Sequence, residues 1–172
     1  MNYLVIIDMQ KDFHPKPETI NYIKEFIERE GSKYNLVLTI DTHEYNDYLY
    51  TQESKVYDLH CRYGTLGWEI VDELRPLVYD EKVKKVCKNT FGSLELATDI
   101  NANRKEVSSI TLMGVCTDIC VLSNALILRA KMPNMRIIVD AAGCNGTSPE
   151  MHKCALAIMK ANAIEVINDE EQ

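Results

Sequence analysis

Two cysteines stand four residues apart in the stretch Met113–Leu126, MGVCTDICVLSNAL. Four-residue spacing puts Cys116 and Cys120 on one face of a helix. That pattern admits a metal clip, a disulfide, two core thiols, or one nucleophile beside a bystander. A metal clip would want more Cys or His close in sequence, and none lies there. Cys116 follows Gly-Val at the end of an apolar run and reads as a small buried residue. Cys120 differs, because Thr117 is a candidate N-cap that would place it in the first turn of a helix. Unpartnered N–H groups and the helix dipole favour an anion there, which would lower a thiol pKa and could hold an oxyanion. Position alone leaves Cys120 either a nucleophile or one more buried thiol.

Other reactive groups follow other apolar runs. Asp8 follows YLVII, Asp41 follows NLVLTI and Lys88 follows VKKVC. A carboxylate, a second carboxylate, an amine and a thiol thus recur at the ends of candidate strands. Asp8 as base and Lys88 as cation are the partners a cysteine nucleophile needs. Taken singly, Asp8 could cap a loop and Lys88 could be an ordinary surface lysine.

Convergence requires a scaffold. Six short β-branched runs, at 3–7, 35–40, 83–87, 109–113, 135–139 and 163–167, alternate with amphipathic stretches. Runs apolar on both faces belong to a mostly parallel sheet covered by helices. Helical periodicity predicts helices over 18–30, 94–101 and 117–132. Ser148-Pro149-Glu150 reads as a cap and first turn of another, ending near Lys160. In such a sheet the ligand crevice lies outside the carboxyl ends of the strands, where their order reverses. All the groups named above would meet on that rim.

The 172 residues suffice for one domain, and a balance of 46% hydrophobic to 26% charged residues is that of a globular chain. A net charge of −7 argues against nucleic acid and anionic membrane surfaces as partners. No apolar run approaches the ~20 residues of a membrane span, and Tyr3–Ile7 is too short for a secretory signal. The expectation is a cytoplasmic protein in which the six scattered cysteines stay reduced.

The segment 41–65, DTHEYNDYLYTQESKVYDLHCRYGT, fits neither period, and a long irregular stretch inside a compact domain is often functional. Asp41 and His43 flank one residue and point to one side; His60 follows seventeen residues after His43. A carboxylate with two imidazoles suits zinc, manganese or iron(II), although loop histidines are more commonly solvated. His14 and His152 match no ligand position and read as structural or solvated.

IIDMQKDF (6–13), KNTFGS (88–93) and GVCTDICV (114–121) resemble the isochorismatase-like cysteine hydrolases, and the likeness extends to DAAGCNGTSPEMHKCAL (140–156). The resemblance implies Cys120 as nucleophile, Asp8 as general base and Lys88 as electrostatic partner. It also implies a cis peptide before Cys116, with the N–H groups of Cys116 and Cys120 as the oxyanion hole. Phe13 and Phe91 would be aromatic walls around a flat substrate, or else ordinary core.

Within that family the DTH and later HCRYGT resemble the nicotinamidases. This implies Asp41, His43 and His60 as ligands of a divalent ion, zinc first and manganese or iron after it, with Glu53 resembling an added acidic ligand. The chain departs in having no histidine between 43 and 60, in reading Tyr57-Asp58-Leu59 before His60, and in its short loop after Lys88. The expectation is therefore one domain over 1–172. It is a three-layer α/β/α fold with a mostly parallel, six-stranded Rossmann-like sheet in order 3-2-1-4-5-6. Its substrate would be a small carboxamide, nicotinamide foremost or a relative of it. A non-catalytic binding protein keeping the fold is the alternative, and a homo-oligomer is expected through exposed helices.

Overall fold

In the computed structural model, which describes residues 1–169, the six apolar runs form one sheet. The strands are β1 (Asn2–Ile7), β2 (Asn35–Asp41), β3 (Lys84–Lys88), β4 (Ser109–Val115), β5 (Arg136–Asn145) and β6 (Glu165–Ile167). Their order is β3-β2-β1-β4-β5-β6, and every neighbouring pair is parallel. β5 runs six residues beyond the apolar stretch that foretold it, carrying DAAGCN to the rim.

Four longer helices cover the sheet: α1 (Pro17–Glu30), α2 (Leu94–Ala102), α3 (Leu122–Lys131) and α4 (Pro149–Ala161). The period-two alternation of β1 divides the core between its faces. Val5 and Ile7 pack with Leu96, Ile100, Ala125, Leu128, Leu156 and Met159 from α2, α3 and α4. Leu4 and Ile6 pack with Ile20 and Ile23 of α1 and with Ile70, Val71 and Leu74 of the connection into β3. Both sheet faces are therefore dry, which is why the strands read as continuous apolar runs.

The start of α4 follows its sequence signal, and α2 is capped in the same way. Ser93 Oγ accepts from Leu96 N–H and Ser148 Oγ from Met151 N–H, and Pro149 opens α4. Thr117 departs from expectation. Cys116 holds the cap position with extended dihedrals, and residues Thr117–Val121 form one wide π-helical turn before α3 begins. Thr117 Oγ1 instead meets Nδ1 of His152 on α4 at 2.7 Å. A cap side chain serves its own helix, whereas this hydroxyl is taken by a neighbouring one.

Register delivers the rim. Ile7 pairs with Thr39 and Gly114, so the next residue, Asp8, emerges between β2 and β4. Asp41 pairs directly with Lys88. No helix among the described residues is long and apolar enough to cross a membrane.

Candidate active site

Asp8 leaves β1 with φ 50°, a left-handed conformation that aspartate tolerates better than most residues. Its N–H faces Thr39 O and Oγ1 at 3.3 and 3.2 Å, and Thr39 Oγ1 donates to Oδ1 at 2.7 Å. The other oxygen, Oδ2, lies 2.6 Å from Lys88 Nζ, an ionic contact set off hydrogen-bond angles. Lys88 Nζ also stands 3.2 Å from Asp41 Oδ1 and 3.7 Å from Cys120 Sγ. Asp8, Lys88 and Cys120 are all buried, at 0%, 6% and 4% exposure. Three side chains 32 to 112 residues apart thus share one buried cluster at the reversal point of the strand order.

Burial sets the protonation states. It pushes the Asp8 carboxyl above its ordinary range despite the Lys88 ammonium, and Asp41 adds to the rise. Lys88 is desolvated too, but the charges of Asp8, Cys120 and Asp41 outweigh that and hold it protonated. Cys120 corrects the expectation of a lowered thiol pKa. Burial and then Asp8 push it well up, against the opposing pull of Lys88. A helix-end field cannot offset the loss of water from a thiolate. Cys120 therefore stands as a thiol beside Asp8.

The strand end before Cys120 is tight. The Val115–Cys116 peptide is cis, and Gly114 has φ 131°. A Cβ on Gly114 would come within 2.1 Å of Ile7 O. All six cysteines are free thiols, which sets the disulfide aside for Cys116 and Cys120.

The irregular segment supplies a second cluster. Oxygen and nitrogen atoms of Asp41, His43, Glu53 and His60 all lie within 4.8 Å of one another. Asp41 Oδ2 is 3.0 Å from His43 Nε2 and 3.2 Å from His60 Nε2; Glu53 Oε1 is 3.3 Å from His60 Nε2. His60 Nδ1 faces Asp58 O at 2.8 Å, which turns Nε2 towards the carboxylates.

The loop is held by backbone: His43 N–H donates to Cys61 O, Tyr63 N–H to His43 O, and Cys61 N–H to Asp12 Oδ2. Gly67 is required beside that carboxylate, since a Cβ there would overlap it at 1.9 Å. Burial raises the Asp41 carboxyl, but hydrogen bonds to both histidines and the Lys88 charge bring it far below its usual range. His60 is pushed up to about 10, because Asp41, Glu53 and the Asp58 carbonyl overcome its desolvation. Two carboxylates and two imidazoles converging in this way fit one divalent ion of the zinc, manganese or iron(II) type.

The isochorismatase domain pattern matches residues 2–171. The chain belongs to the isochorismatase family. It is 29% identical over 145 residues to the uncharacterized isochorismatase family protein PncA of Bacillus subtilis, covering 80% of this chain and 75% of that one. It is 23% identical over 215 residues to the nicotinamidase of Saccharomyces cerevisiae, covering 98% and 100%. A solved structure, the pyrazinamidase of Pyrococcus horikoshii in complex with zinc, superposes with a TM-score of 0.80 at 26% identity. That match covers 96% of this chain and 98% of the other.

Several supports of this isochorismatase-family site carry no sequence signal of their own. Gln10, fully buried, accepts from Asp41 N–H and donates to Asp41 O, both at 2.7 Å, so one amide fixes the backbone of a candidate ligand. Tyr48 stacks edge-on against both histidines and donates to the carbonyls of Tyr57 and Asp58. Phe13 lies 5.3 Å from the His60 ring, and Phe91 lies 6.1 Å from Tyr57. Both phenylalanines also pack against the core clusters, so each joins the site's surroundings to the interior. His14 is exposed and takes no part. An open depression of about 500 Å³ along Glu44–Asp47 and Arg62 lies apart from the buried triad and holds none of its groups.

Proposed function

We propose that the protein is a metal-assisted cysteine amidohydrolase converting nicotinamide and water to nicotinic acid and ammonia. The observation that carries this reading is the position of Lys88. One buried ammonium touches the thiol and carboxylate of a hydrolytic pair on one side and a metal-donor carboxylate on the other. A ring nitrogen and a carboxamide on one flat molecule match two centres so close together.

Asp41, His43, Glu53 and His60 would hold the ion, which supplies a Lewis-acidic position for the pyridine nitrogen when bound. Because Cys120 rests as a thiol, attack is coupled to proton transfer: Asp8 takes the Sγ proton as sulfur bonds to the amide carbon. Lys88 keeps Asp8 competent as an acceptor by standing against its charge. Backbone N–H groups at Cys116 and Cys120 are assigned to the oxyanion. Protonated Asp8 then delivers its proton to departing ammonia, leaving a thioester. Water attacks the thioester with Asp8 again as base, and Cys120 recovers its proton. Phe13 and Phe91 flank the ring. The compartment expected for such an enzyme is the cytoplasm.

Ammonia release from nicotinamide tests the reading, with Cys120→Ala as the control. The parent should turn over and the variant should lose at least ~10⁴-fold in kcat while keeping its melting temperature. If the alanine variant still releases ammonia, the nucleophile is misassigned. If the parent leaves nicotinamide untouched but hydrolyses another carboxamide, only the substrate is wrong.

A further inference from the structure

Asn124 lies one helical turn after Cys120 and is 1% exposed. A buried carboxamide must place two N–H donors and one acceptor, and here all three go to backbone. Oδ1 accepts from Ser93 N–H at 3.0 Å. Nδ2 donates to Cys120 O at 2.8 Å and to Phe91 O at 3.3 Å. The amide has one workable orientation, since a flip would set its oxygen against two carbonyls and its NH₂ against an N–H.

The partners belong to two places that sequence does not connect: the turn carrying Cys120, and the 89–93 loop carrying Phe91. That loop lies directly on α3, because a Cβ on Gly92 would meet Ile127 Cδ1 at 2.5 Å and Ser123 backbone at 3.2 Å. Thr90 Oγ1 closes the loop on itself by donating to Gly92 O at 2.7 Å.

We infer that Asn124 is a positioning residue, whose carboxamide ties the Phe91 loop to the Cys120 turn and so sets the distance between aromatic wall and nucleophile. Its hydrogen bonds go to backbone and none goes to Sγ. Its effect reaches the reaction through Phe91, a consequence that rests on the amidohydrolase reading above.

Asn124→Thr separates the two halves of the tie. A threonine hydroxyl can still reach the carbonyl four residues back, Cys120 O, but it cannot reach Phe91 O or Ser93 N–H as well. Hydrogen exchange followed by mass spectrometry should show the 89–94 amides exchanging about tenfold faster than in the parent, with sheet amides unchanged. KM for nicotinamide should rise roughly fivefold with kcat nearly constant. In a Phe91→Ala background the same substitution should add nothing to KM, as expected for coupled residues.

Unchanged exchange at 89–94, or an unchanged KM despite faster exchange, would overturn the inference. So would an increase in KM of the same size with Phe91 absent. Should the parent hydrolyse no amide, the functional reading fails and alkylation of Cys120 by iodoacetamide replaces KM. Its rate must then change with Asn124→Thr only when Phe91 is present. Asn124→Ser keeps the same hydroxyl reach if the threonine variant does not fold.

Discussion

Lys88 serves two buried carboxylates with one charge. Asp8 and Asp41 lie 2.6 and 3.2 Å from its Nζ, and neither can call on solvent. Desolvating an ammonium costs several kcal/mol, and only close, opposite charge repays it. Removing the cation leaves both carboxylates to be protonated or to repel. Lys88→Met should therefore destabilise the protein by about 3–5 kcal/mol, the usual cost of breaking a buried pair from one side. Lys88→Arg keeps the charge but spreads it over a planar fork too wide for a point contact with three groups. It should recover much of the stability and little of the turnover. Urea unfolding and ammonia release on the two variants check this, and equal recovery of both by arginine would mean that Lys88 acts only through its charge.

At the scale of elements, the site depends on how closely β1 and β4 approach at their carboxyl ends. Gly114 is the contact: it has φ 131° and leaves no room for a Cβ beside Ile7 O. Gly114→Ala must shift the strand end that leads into the Cys120 turn or the one that leads into Asp8. We expect a loss of at least ~2 kcal/mol, with turnover falling further than stability alone explains. Thermal melts and kcat measured well below the melting temperature distinguish the two effects. The elements themselves were legible because strands dry on both faces leave unbroken apolar runs, and because Ser148 and Pro149 mark a helix start locally. The π-helical turn was not legible. Thr117 looks like a cap in sequence, and only the fold brings His152 close enough to take its hydroxyl. The low thiol pKa expected of Cys120 was likewise an inference from helix position, overruled by a burial that position does not reveal. Gln10 and Asn124 are illegible for the same reason: an amide bonded to backbone 31 residues away leaves no periodicity to read.

At the scale of the molecule, the 41–62 segment is held to the sheet at its ends and drawn together by four polar side chains, so an ion bound there would stabilise the whole domain. Binding to the native state alone adds about 2.7 kcal/mol at a hundredfold excess over Kd, or roughly 5–10 °C in melting temperature for a chain of this size. The gain must depend on pH, and its sign follows from His60. In chelated protein its pKa is raised from 6.5 to about 10. Its ion pairs with Asp41 and Glu53 are then fully present below about pH 6.5 and are lost as pH rises towards 10. A metal ligand must be unprotonated, so the ion competes with that same proton. Zinc should accordingly raise the melting temperature more at pH 8.5 than at pH 6.5, while the chelated protein becomes less stable over the same interval. Binding near pH 7.5 should release about one proton, measurable as a buffer-dependent heat in calorimetry. His60→Ala should remove both the pH dependence and most of the gain. A zinc-induced shift of equal size at both pH values would place the ion somewhere other than among Asp41, His43, Glu53 and His60.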